Sequence, residues 1–220
     1  MYSILMKKLQ EQAAMKEIDI SGWPRREIFD FFSGTEHPFF SVSFRLDVSP
    51  VREYAKKEGL SFYHCMIWLV TEAVNNVEAF LYTIQNNKVM LLSRREPSFT
   101  DLKPGADYFH ICTMKAGGNI RQFCLDAKER SRSQKEFIVY SEETLDLIYI
   151  SALPWLDLTG LTNEGDLHKD DCIPRISWGR YVREGEKLMM GFSFEVNHRF
   201  VDGADIGRFA AELEKLMNEL

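Results

Sequence analysis

The chain has 220 residues, of which 45% are hydrophobic and 27% are charged, and its formal net charge at pH 7 is -6. A chain of this length can bury a sizeable core, and we expect one domain spanning residues 1–220. The acidic balance argues against nucleic acid as a partner, because nucleic-acid-binding proteins usually carry a basic face.

The N-terminal sequence MYSILMKKLQEQ has a four-residue apolar patch before Lys7 and Lys8. Such a patch is too short for a signal sequence or a membrane-spanning helix, so we expect a cytoplasmic protein without a membrane partner. The cysteines show neither a CxxC pair nor zinc-finger spacing, which predicts free thiols in a reducing compartment and no metal site. They are Cys65, Cys112, Cys124 and Cys172.

The first predicted elements are two helices. Ser49 reads as an N-cap followed by Pro50 in the first turn, with Gly59 ending the helix. The next run, from Phe62 to Phe80, predicts a buried helix because its apolar residues recur at helical spacing. Those residues are Phe62, Cys65, Leu69, Ala73 and Val77.

Strands dominate the next part of the chain. Asn86 and Asn87 predict a tight hairpin between residues 81–85 and 88–92, since Asn tolerates positive φ. Further strands are expected over residues 108–114, 145–153, 176–182 and 187–196, the last two joined by Arg183-Glu184-Gly185-Glu186. A final helix over 203–220 turns Ile206, Phe209, Ala210, Leu213 and Met217 to one face. The result is an α+β layout.

His198 continues the parity of Phe192, Phe194 and Val196, which places it at the end of a strand on the buried face. A neutral imidazole in an apolar wall can accept the proton of an attacking hydroxyl, so His198 is a candidate general base. Two interpretations remain open from these residues alone. His198 can equally be a satisfied core histidine, with Asp202 simply capping the last helix.

The surrounding sequence carries a resemblance. The segment EVNHRFVDGADIGRF resembles the HHxxxDG active-site signature of chloramphenicol acetyltransferases, with His198 at the second, catalytic position. Further family motifs are matched, in the same order, by the segments DISGWPRREIFDFF, ISALPW and PRISWGRYVREGEKLM. HxxxDG alone also occurs in dihydrolipoyl acyltransferases and condensation domains, whereas the ordered set is far more specific.

The resemblance implies a two-layer fold of a mixed sheet with flanking helices, assembled as a homotrimer with active sites between subunits. Acetyl-CoA would be a co-substrate, with no cofactor tightly bound. His198 would deprotonate the acceptor hydroxyl, which attacks the thioester directly. Ser151 would stabilise the oxyanion, Ser177 would support the intermediate through a water, and Arg25 would pair structurally with Asp202.

Binding residues follow from the same resemblance. Tyr63 and Tyr181 would contact the adenine end of CoA and Arg180 its phosphates, although such tyrosines are more often core residues. The acceptor-binding positions are Phe32, Glu36, Phe40 and Phe109. Phe32 stands where the family often has tyrosine, and Glu36, Asn163 and Gly165 replace aliphatic residues.

Three functions follow from this pattern. The first is acetylation of a chloramphenicol hydroxyl, and the second is the same chemistry on a more polar hydroxylated acceptor. The second depends on whether Glu36 lines the pocket or points to solvent, because a carboxylate is costly to bury in an apolar pocket. The third is a non-catalytic binding module, which the presence of His198, Ser151, Asp202 and Arg25 disfavours.

Overall fold

The computed structural model describes residues 14–165 and 168–220. In chain order the regular elements are β1 (Met15–Glu17), α1 (Arg26–Ser33), β2 (Phe39–Asp47), α2 (Ser49–Glu58), α3 (Phe62–Asn75), β3 (Tyr82–Gln85), β4 (Lys88–Leu92), β5 (Glu96–Asp101), β6 (His110–Thr113), α4 (Ile120–Ser133), β7 (Leu147–Leu153), β8 (Arg175–Glu184), β9 (Lys187–Asn197) and α5 (Gly203–Asn218). Short 3-10 turns lie at Ile20–Gly22, Glu78–Leu81 and Tyr140–Glu142.

Two sheets organise these elements. The larger has six strands in the order β2-β9-β8-β7-β5-β6, and the smaller has three in the order β1-β4-β3. In the large sheet β7 runs parallel to β5 and β8, while the remaining pairs are antiparallel. Helix α3 packs against both α4 and α5. The predicted mixed sheet with flanking helices is therefore confirmed.

The large sheet has one apolar face and one polar face. Phe192 and Phe194 of β9 and Ile176 of β8 point into the helical core and are almost fully buried. The intervening residues Ser177 and Ser193 are register partners and lie on the opposite face. This alternation is what the period of two in a strand requires, and it sets which side chains can share a site.

Residues 156–163 cross the polar face of the sheet, and we call this segment the strap. The strap lies so close that a Cβ on Gly191 would be 1.9 Å from the Leu158 carbonyl oxygen, and one on Gly179 would be 2.6 Å from Leu158 Cβ. The amide of Arg180 donates to the Leu156 carbonyl at 2.6 Å. Glycine is required at both strand positions because only a bare backbone leaves room for the strap.

Arg95 is completely buried and lies where several chain segments converge. Its guanidinium donates to five backbone carbonyls, those of Phe80, Tyr82, Leu145, Leu147 and Cys172. Burial lowers the pKa of Arg95 to about 10, which leaves the group charged at neutral pH. The carbonyl dipoles therefore take the place of the water that a charged guanidinium loses on burial.

Several predicted turns and caps are present where expected. Asn86 and Asn87 have φ of 52° and 61°, as a two-residue hairpin between β3 and β4 demands. Gly59 ends α2 with a φ of 66°, in the left-handed region where glycine is favoured. Gly185 adopts a φ of 62° between β8 and β9. All four cysteines are buried and free, as predicted.

The bounds of three helices differ from prediction. Helix α2 begins at Ser49 with Val48 in the capping position, because the Ser49 hydroxyl bonds to the Asp47 carboxylate at 2.5 Å instead of capping the helix. The predicted helix from Phe62 to Phe80 ends at Asn75, whose side-chain amide donates to the carbonyls of Thr71 and Arg95 and so ties the helix end to the residue before β5. Helix α5 ends at Asn218.

Some strand predictions ran short and others long. The strand expected over residues 176–182 covers Arg175–Glu184, and the one expected over 187–196 covers Lys187–Asn197. The strand expected over residues 108–114 covers His110–Thr113, and the one expected over 145–153 begins at Leu147. Within residues 14–165 and 168–220, each helix is either too short or too polar to span a bilayer.

Candidate active site

His198 follows directly after β9, at the point where the strand leaves the sheet. Its amide donates to the Pro38 carbonyl at 2.8 Å, which ties the end of β9 to the start of β2. The imidazole is half-buried between two phenyl rings, with centroids 4.1 Å from Phe32 and 4.6 Å from Phe40. The ring is thus partly desolvated yet reachable, as its position after the strand predicted.

The tautomer of His198 follows from the contact of its imidazole ring with a backbone carbonyl. Nδ1 lies 2.9 Å from the carbonyl oxygen of Val201, three residues further along. A carbonyl can only accept a hydrogen bond, so Nδ1 carries the proton and a neutral ring keeps a lone pair on Nε2. His198 is therefore arranged to accept a proton at Nε2.

Arg25 joins the start of α1 to the start of α5. One nitrogen of its guanidinium bonds to Asp202 and the other to Asp205, each at 3.1 Å. Asp202 also caps α5 by accepting from the amides of Ala204 and Asp205. The Asp205 carboxylate in turn accepts from the Asp202 amide. Asp202 therefore both caps α5 and forms an ion pair with Arg25.

The charge state of Asp202 follows from these contacts. Burial acts to raise its pKa, but the amides of Asp205 and Ala204 and the Arg25 guanidinium outweigh it, so that the pKa of Asp202 is lowered. The side chains of Arg25 and Asp202 remain 19% and 30% exposed. The pair is therefore only partly desolvated, less than a fully buried pair.

Ser151 and Ser177 belong to a row of hydroxyls that crosses the polar face of the large sheet. The row consists of Thr100, Ser151, Ser177, Ser193 and Ser43. Neighbouring hydroxyls approach at its two ends, 3.4 Å between Thr100 and Ser151 and 3.0 Å between Ser43 and Ser193. Because the row follows the strand register, its members are held by the sheet itself.

The strap interacts with part of this hydroxyl row. Ser177 Oγ donates to Asn163 Oδ1 at 3.0 Å, and Ser193 Oγ donates to the Leu161 carbonyl at 2.6 Å. Ser177 therefore keeps only acceptor capacity in this arrangement. Among the residues that the structure describes, Thr100 is the one whose hydroxyl contacts that of Ser151, so Ser151 is the better placed of the two predicted serines to donate to a ligand.

The predicted CoA-binding residues lie on two elements, Tyr63 on α3 and Arg180 and Tyr181 in the second half of β8. Tyr63 donates from its hydroxyl to the Thr100 carbonyl, and its ring lies 5.8 Å from that of Trp178. Burial raises the pKa of Tyr63, so the phenol stays protonated. Tyr181 is half-buried and accepts a bond from Arg52 at 3.1 Å, whereas Arg180 sits in a bulge of β8 with its side chain exposed.

The predicted acceptor residues are divided between two places. Phe32 and Phe40 contact His198, and Glu36 lies in the exposed loop between them. Phe109 lies just before β6 and beside Phe137, with a ring-centroid distance of 5.5 Å. Because β6 pairs with β5, Phe109 belongs to the Ser151 end of the sheet. One chain therefore holds two separate halves of the predicted site.

The register measures how far apart these halves are. Ser151 pairs with Ser177 and Ser177 with Ser193, while His198 lies five residues beyond Ser193. At about 3.3 Å per residue and about 4.8 Å between strands, the Cα atoms of His198 and Ser151 are about 19 Å apart. The two side chains do not meet at one substrate within a single chain.

Comparison with known proteins identifies the family. The family profile for chloramphenicol acetyltransferase matches residues 13–214. The chain belongs to this family. Chloramphenicol acetyltransferase 3 of Escherichia coli is 26% identical over 205 residues, covering 92% of this chain and 96% of that protein. The chloramphenicol acetyltransferase of Campylobacter coli is 27% identical over 214 residues, covering 92% and 98%. Membership of this family makes the protein an acyltransferase.

Solved structures agree on the fold. A chloramphenicol acetyltransferase structure matches with a TM-score of 0.84 at 21% identity, covering 93% of this chain and all of that one. The catalytic core of a 2-oxoacid dehydrogenase multienzyme complex from Thermoplasma acidophilum matches with a TM-score of 0.61 at 17% identity, covering 93% and 99%. The chloramphenicol acetyltransferase fold expected from the motifs is thereby confirmed.

Sequence reasoning missed contacts that depend on tertiary structure. Thr100 was not singled out, although it contacts Ser151 through its hydroxyl and Tyr63 through its carbonyl. Asn163 was noted only as an altered pocket position, yet it binds Ser177. Asn197, which stands at the first histidine of the HHxxxDG pattern, was not singled out, although its side chain binds the carbonyls of Lys169 and Asp171. Each of these partners is distant in sequence, so local spacing held no signal for them.

Proposed function

We propose that this protein transfers the acetyl group of acetyl-CoA to a hydroxyl of a small acceptor, with His198 as the general base. The observation that carries the proposal is the bond from His198 Nδ1 to the Val201 carbonyl, which leaves Nε2 free to take a proton. Phe32 and Phe40 hold the ring on both sides and shield part of it from water. An imidazole so held is suited to general-base catalysis.

In the proposed reaction, Nε2 takes the proton of the acceptor hydroxyl as its oxygen attacks the thioester carbonyl. Negative charge then develops on the carbonyl oxygen, where the Ser151 hydroxyl donates a hydrogen bond and Ser177 contributes through a water. Collapse of the intermediate breaks the C–S bond, and the CoA thiolate recovers the proton from His198. The acceptor leaves as an acetyl ester, and no acyl-enzyme is needed.

Acetyl-CoA is proposed to bind as a co-substrate at Tyr63 of α3 and at the second half of β8, where Arg180 and Tyr181 lie. Arg180 is exposed there and offers a planar guanidinium suited to phosphate. The hydroxyls of Tyr63 and Tyr181 are engaged by Thr100 and Arg52, so their remaining ring surface would supply the contact with adenine. The four buried thiols support a cytoplasmic location.

The complete site is proposed to form between subunits of a homotrimer. The separation of about 19 Å between His198 and Ser151 supports this arrangement, because a second chain can bring its Ser151 end to the His198 end of the first. Light scattering should then report a mass near three times 25.6 kDa. A monomer with full activity would contradict the interfacial site.

Chloramphenicol is the proposed acceptor, with a more polar hydroxylated compound as the second candidate. Phe32, Phe40 and Phe109 suit an aromatic drug. Glu36 and the amide of Asn163 favour a polar acceptor, because each adds hydrogen-bonding capacity where an apolar ligand would leave it unmatched. A non-catalytic binding module would bind acetyl-CoA without releasing CoA.

The deciding assay incubates the full chain with acetyl-CoA and chloramphenicol and follows release of the CoA thiol. A panel of hydroxylated compounds then ranks the acceptors. His198→Ala should lower kcat by about 10²–10⁴ while acetyl-CoA binding, measured by calorimetry, stays near wild type. Near-wild-type turnover by the variant would refute His198 as the base.

A further inference from the structure

Two residues on either side of His198 are buried polar groups that the proposed mechanism does not use. Asn197 is 4% exposed and Arg199 is 2% exposed. They bond to each other, since Asn197 Oδ1 accepts from the amide of Arg199 at 3.2 Å and from its Nε at 3.0 Å. A buried guanidinium and a buried amide with matched partners specify one local geometry.

Both side chains also reach the loop formed by residues 168–172. Asn197 Nδ2 donates to the carbonyls of Lys169 at 2.8 Å and Asp171 at 2.9 Å. Arg199 pairs with the Asp170 carboxylate at 3.0 Å and donates to the Lys169 carbonyl. The loop and the end of β9 are thus joined by five contacts from the two residues that flank His198.

The backbone of Asn197 also closes the turn that holds His198. The carbonyl of Asn197 accepts from the amides of Phe200 at 3.0 Å and Val201 at 3.1 Å. Val201 in turn offers its carbonyl to His198 Nδ1 at 2.9 Å. A continuous set of bonds therefore runs from the 168–172 loop through Asn197 to the imidazole.

Arg199 is held on its other side by aromatic rings. Its guanidinium carbon lies 5.6 Å from the ring centre of Phe29 and 5.8 Å from that of Phe200. Phe29 belongs to α1, the helix that also carries Phe32 against His198. Arg199 thus links the loop, the turn and α1, three of the parts that surround the imidazole.

We propose that Asn197 and Arg199 are positioning residues for His198. By fixing the turn 197–201 to the 168–172 loop, they hold the Val201 carbonyl where it keeps the proton on Nδ1 and the lone pair on Nε2. The catalytic part of this inference rests on the proposed function. The tautomer itself is a property of the folded chain and is measured without any reaction.

The test compares Asn197→Ala and Arg199→Lys with a matched control, Asp171→Asn. The control removes the ion pair between Asp171 and Arg175 (2.6 Å) that anchors the same loop. It keeps the Asp171 backbone carbonyl that Asn197 uses, so the turn 197–201 retains its bonds. Arg199→Lys keeps the positive charge but loses the Nε bond to Asn197.

The first readout is nitrogen-15 NMR of the histidine rings in the full chain, with the His198 signals assigned from a His198→Gln spectrum. We expect the wild type and Asp171→Asn to show His198 protonated at Nδ1. Asn197→Ala and, to a smaller degree, Arg199→Lys should show a second population protonated at Nε2. Retention of the wild-type tautomer in both variants would overturn the proposal.

The second readout is steady-state kinetics beside thermal stability. Asn197→Ala should lower kcat by about 10- to 100-fold, with KM for acetyl-CoA within about twofold of wild type. Asp171→Asn should lower Tm without that loss of kcat, and an equal loss of kcat in the control would reduce Asn197 to a structural role. If Asn197→Ala does not fold, Arg199→Lys decides. A wild type inactive on every acceptor would refute the proposed function while the NMR result still stands.

Discussion

His198 follows directly after β9 and Ser151 lies on β7 of the same sheet, and the strand register places the two residues about 19 Å apart. A reaction that uses both side chains then draws them from two chains. Each subunit of a closed ring would give its His198 to one neighbour and its Ser151 to the other. Subunit exchange can test this directly.

The first prediction uses two inactive variants, His198→Ala and Ser151→Ala, mixed in equal amounts in denaturant and refolded together. A site is intact when one neighbour supplies His198 and the other supplies Ser151, which random mixing gives in about a quarter of interfaces. Thiol release should therefore recover to about a quarter of the wild-type rate. No recovery in verified mixed oligomers would place both residues in one chain's site.

Ser151→Ala should lower kcat by about 10²–10³ with little change in KM, because its hydroxyl is proposed to act on charge present only in the transition state. Thr100→Val should lower kcat less, since the Thr100 hydroxyl only orients Ser151 across 3.4 Å. Ser43→Ala is the matched control at the other end of the same hydroxyl row. An effect of Ser151→Ala confined to KM would assign this serine to substrate binding instead.

Arg25→Ala should destabilise the protein by about 1–3 kcal/mol, below the value for a fully buried pair, because the pair is partly exposed and Asp205 is also held by Arg208. Combining it with Asp202→Asn should cost less than the sum of the two single changes. Urea unfolding of the four proteins measures this coupling. Strict additivity would mean that the two side chains do not interact.

The same pair predicts a pH dependence. The pKa of Asp202 is lowered in the folded protein, so its stabilising contribution is complete above the unfolded value of about 3.9 and is lost as pH falls through the folded value. The stability difference between wild type and Asp202→Asn should therefore shrink as the solution is acidified. Unfolding curves at pH 7, 4 and 3 test this, and a difference that grows in acid would contradict it.

Glu36→Leu should lower KM for chloramphenicol with a smaller change in kcat, because an apolar side chain restores contact with the drug while the transfer chemistry is untouched. Phe32→Tyr should improve KM modestly. The control is Glu53→Leu, which removes an exposed carboxylate from α2. If the wild type binds the drug tightly and Glu36→Leu changes nothing, Glu36 faces solvent and the polar acceptor loses its main support.

Gly191→Ala should strongly destabilise the protein, by about 3 kcal/mol or more, because its Cβ would overlap the Leu158 carbonyl and displace the strap. Gly207→Ala in α5 is the matched control, since its Cβ meets no atom within 4 Å and alanine favours a helix. Thermal unfolding should give a large loss of Tm for the first and a small gain for the second. Equal Tm values would disprove the close approach of the strap.

Local signals predicted much of the fold. The paired asparagines predicted the hairpin between β3 and β4, Gly59 predicted the end of α2, and the alternation before His198 predicted β9. Strand β5 was not predicted, because the run EPSFTD is short and contains a proline, and it forms by pairing with β6 and β7. Sequence period reports which residues share a face, whereas it carries no information on which strands become neighbours.

The site was predictable only where a motif is contiguous. Asp202 caps the helix that begins one residue later, so the sequence placed it, and the family motifs added Arg25 as its partner. The separation of Ser151 from His198 was not predictable from the residues themselves, because it depends on strand order. The bonds of Asn163 and Arg199 were missed for the same reason, since each bond joins a loop without a periodic pattern to a residue distant in sequence.

The bonds of Arg95 determine which segments of the protein should unfold together. Its guanidinium holds carbonyls just before β3 and at its first residue, at the start of β7 and just before β8. If any one of these segments detached, a buried cation would lose its acceptors in a medium that solvates it poorly. The segments should therefore separate together, and native-state hydrogen exchange should show amides near Phe80, Leu147 and Cys172 exchanging as a single cooperative unit.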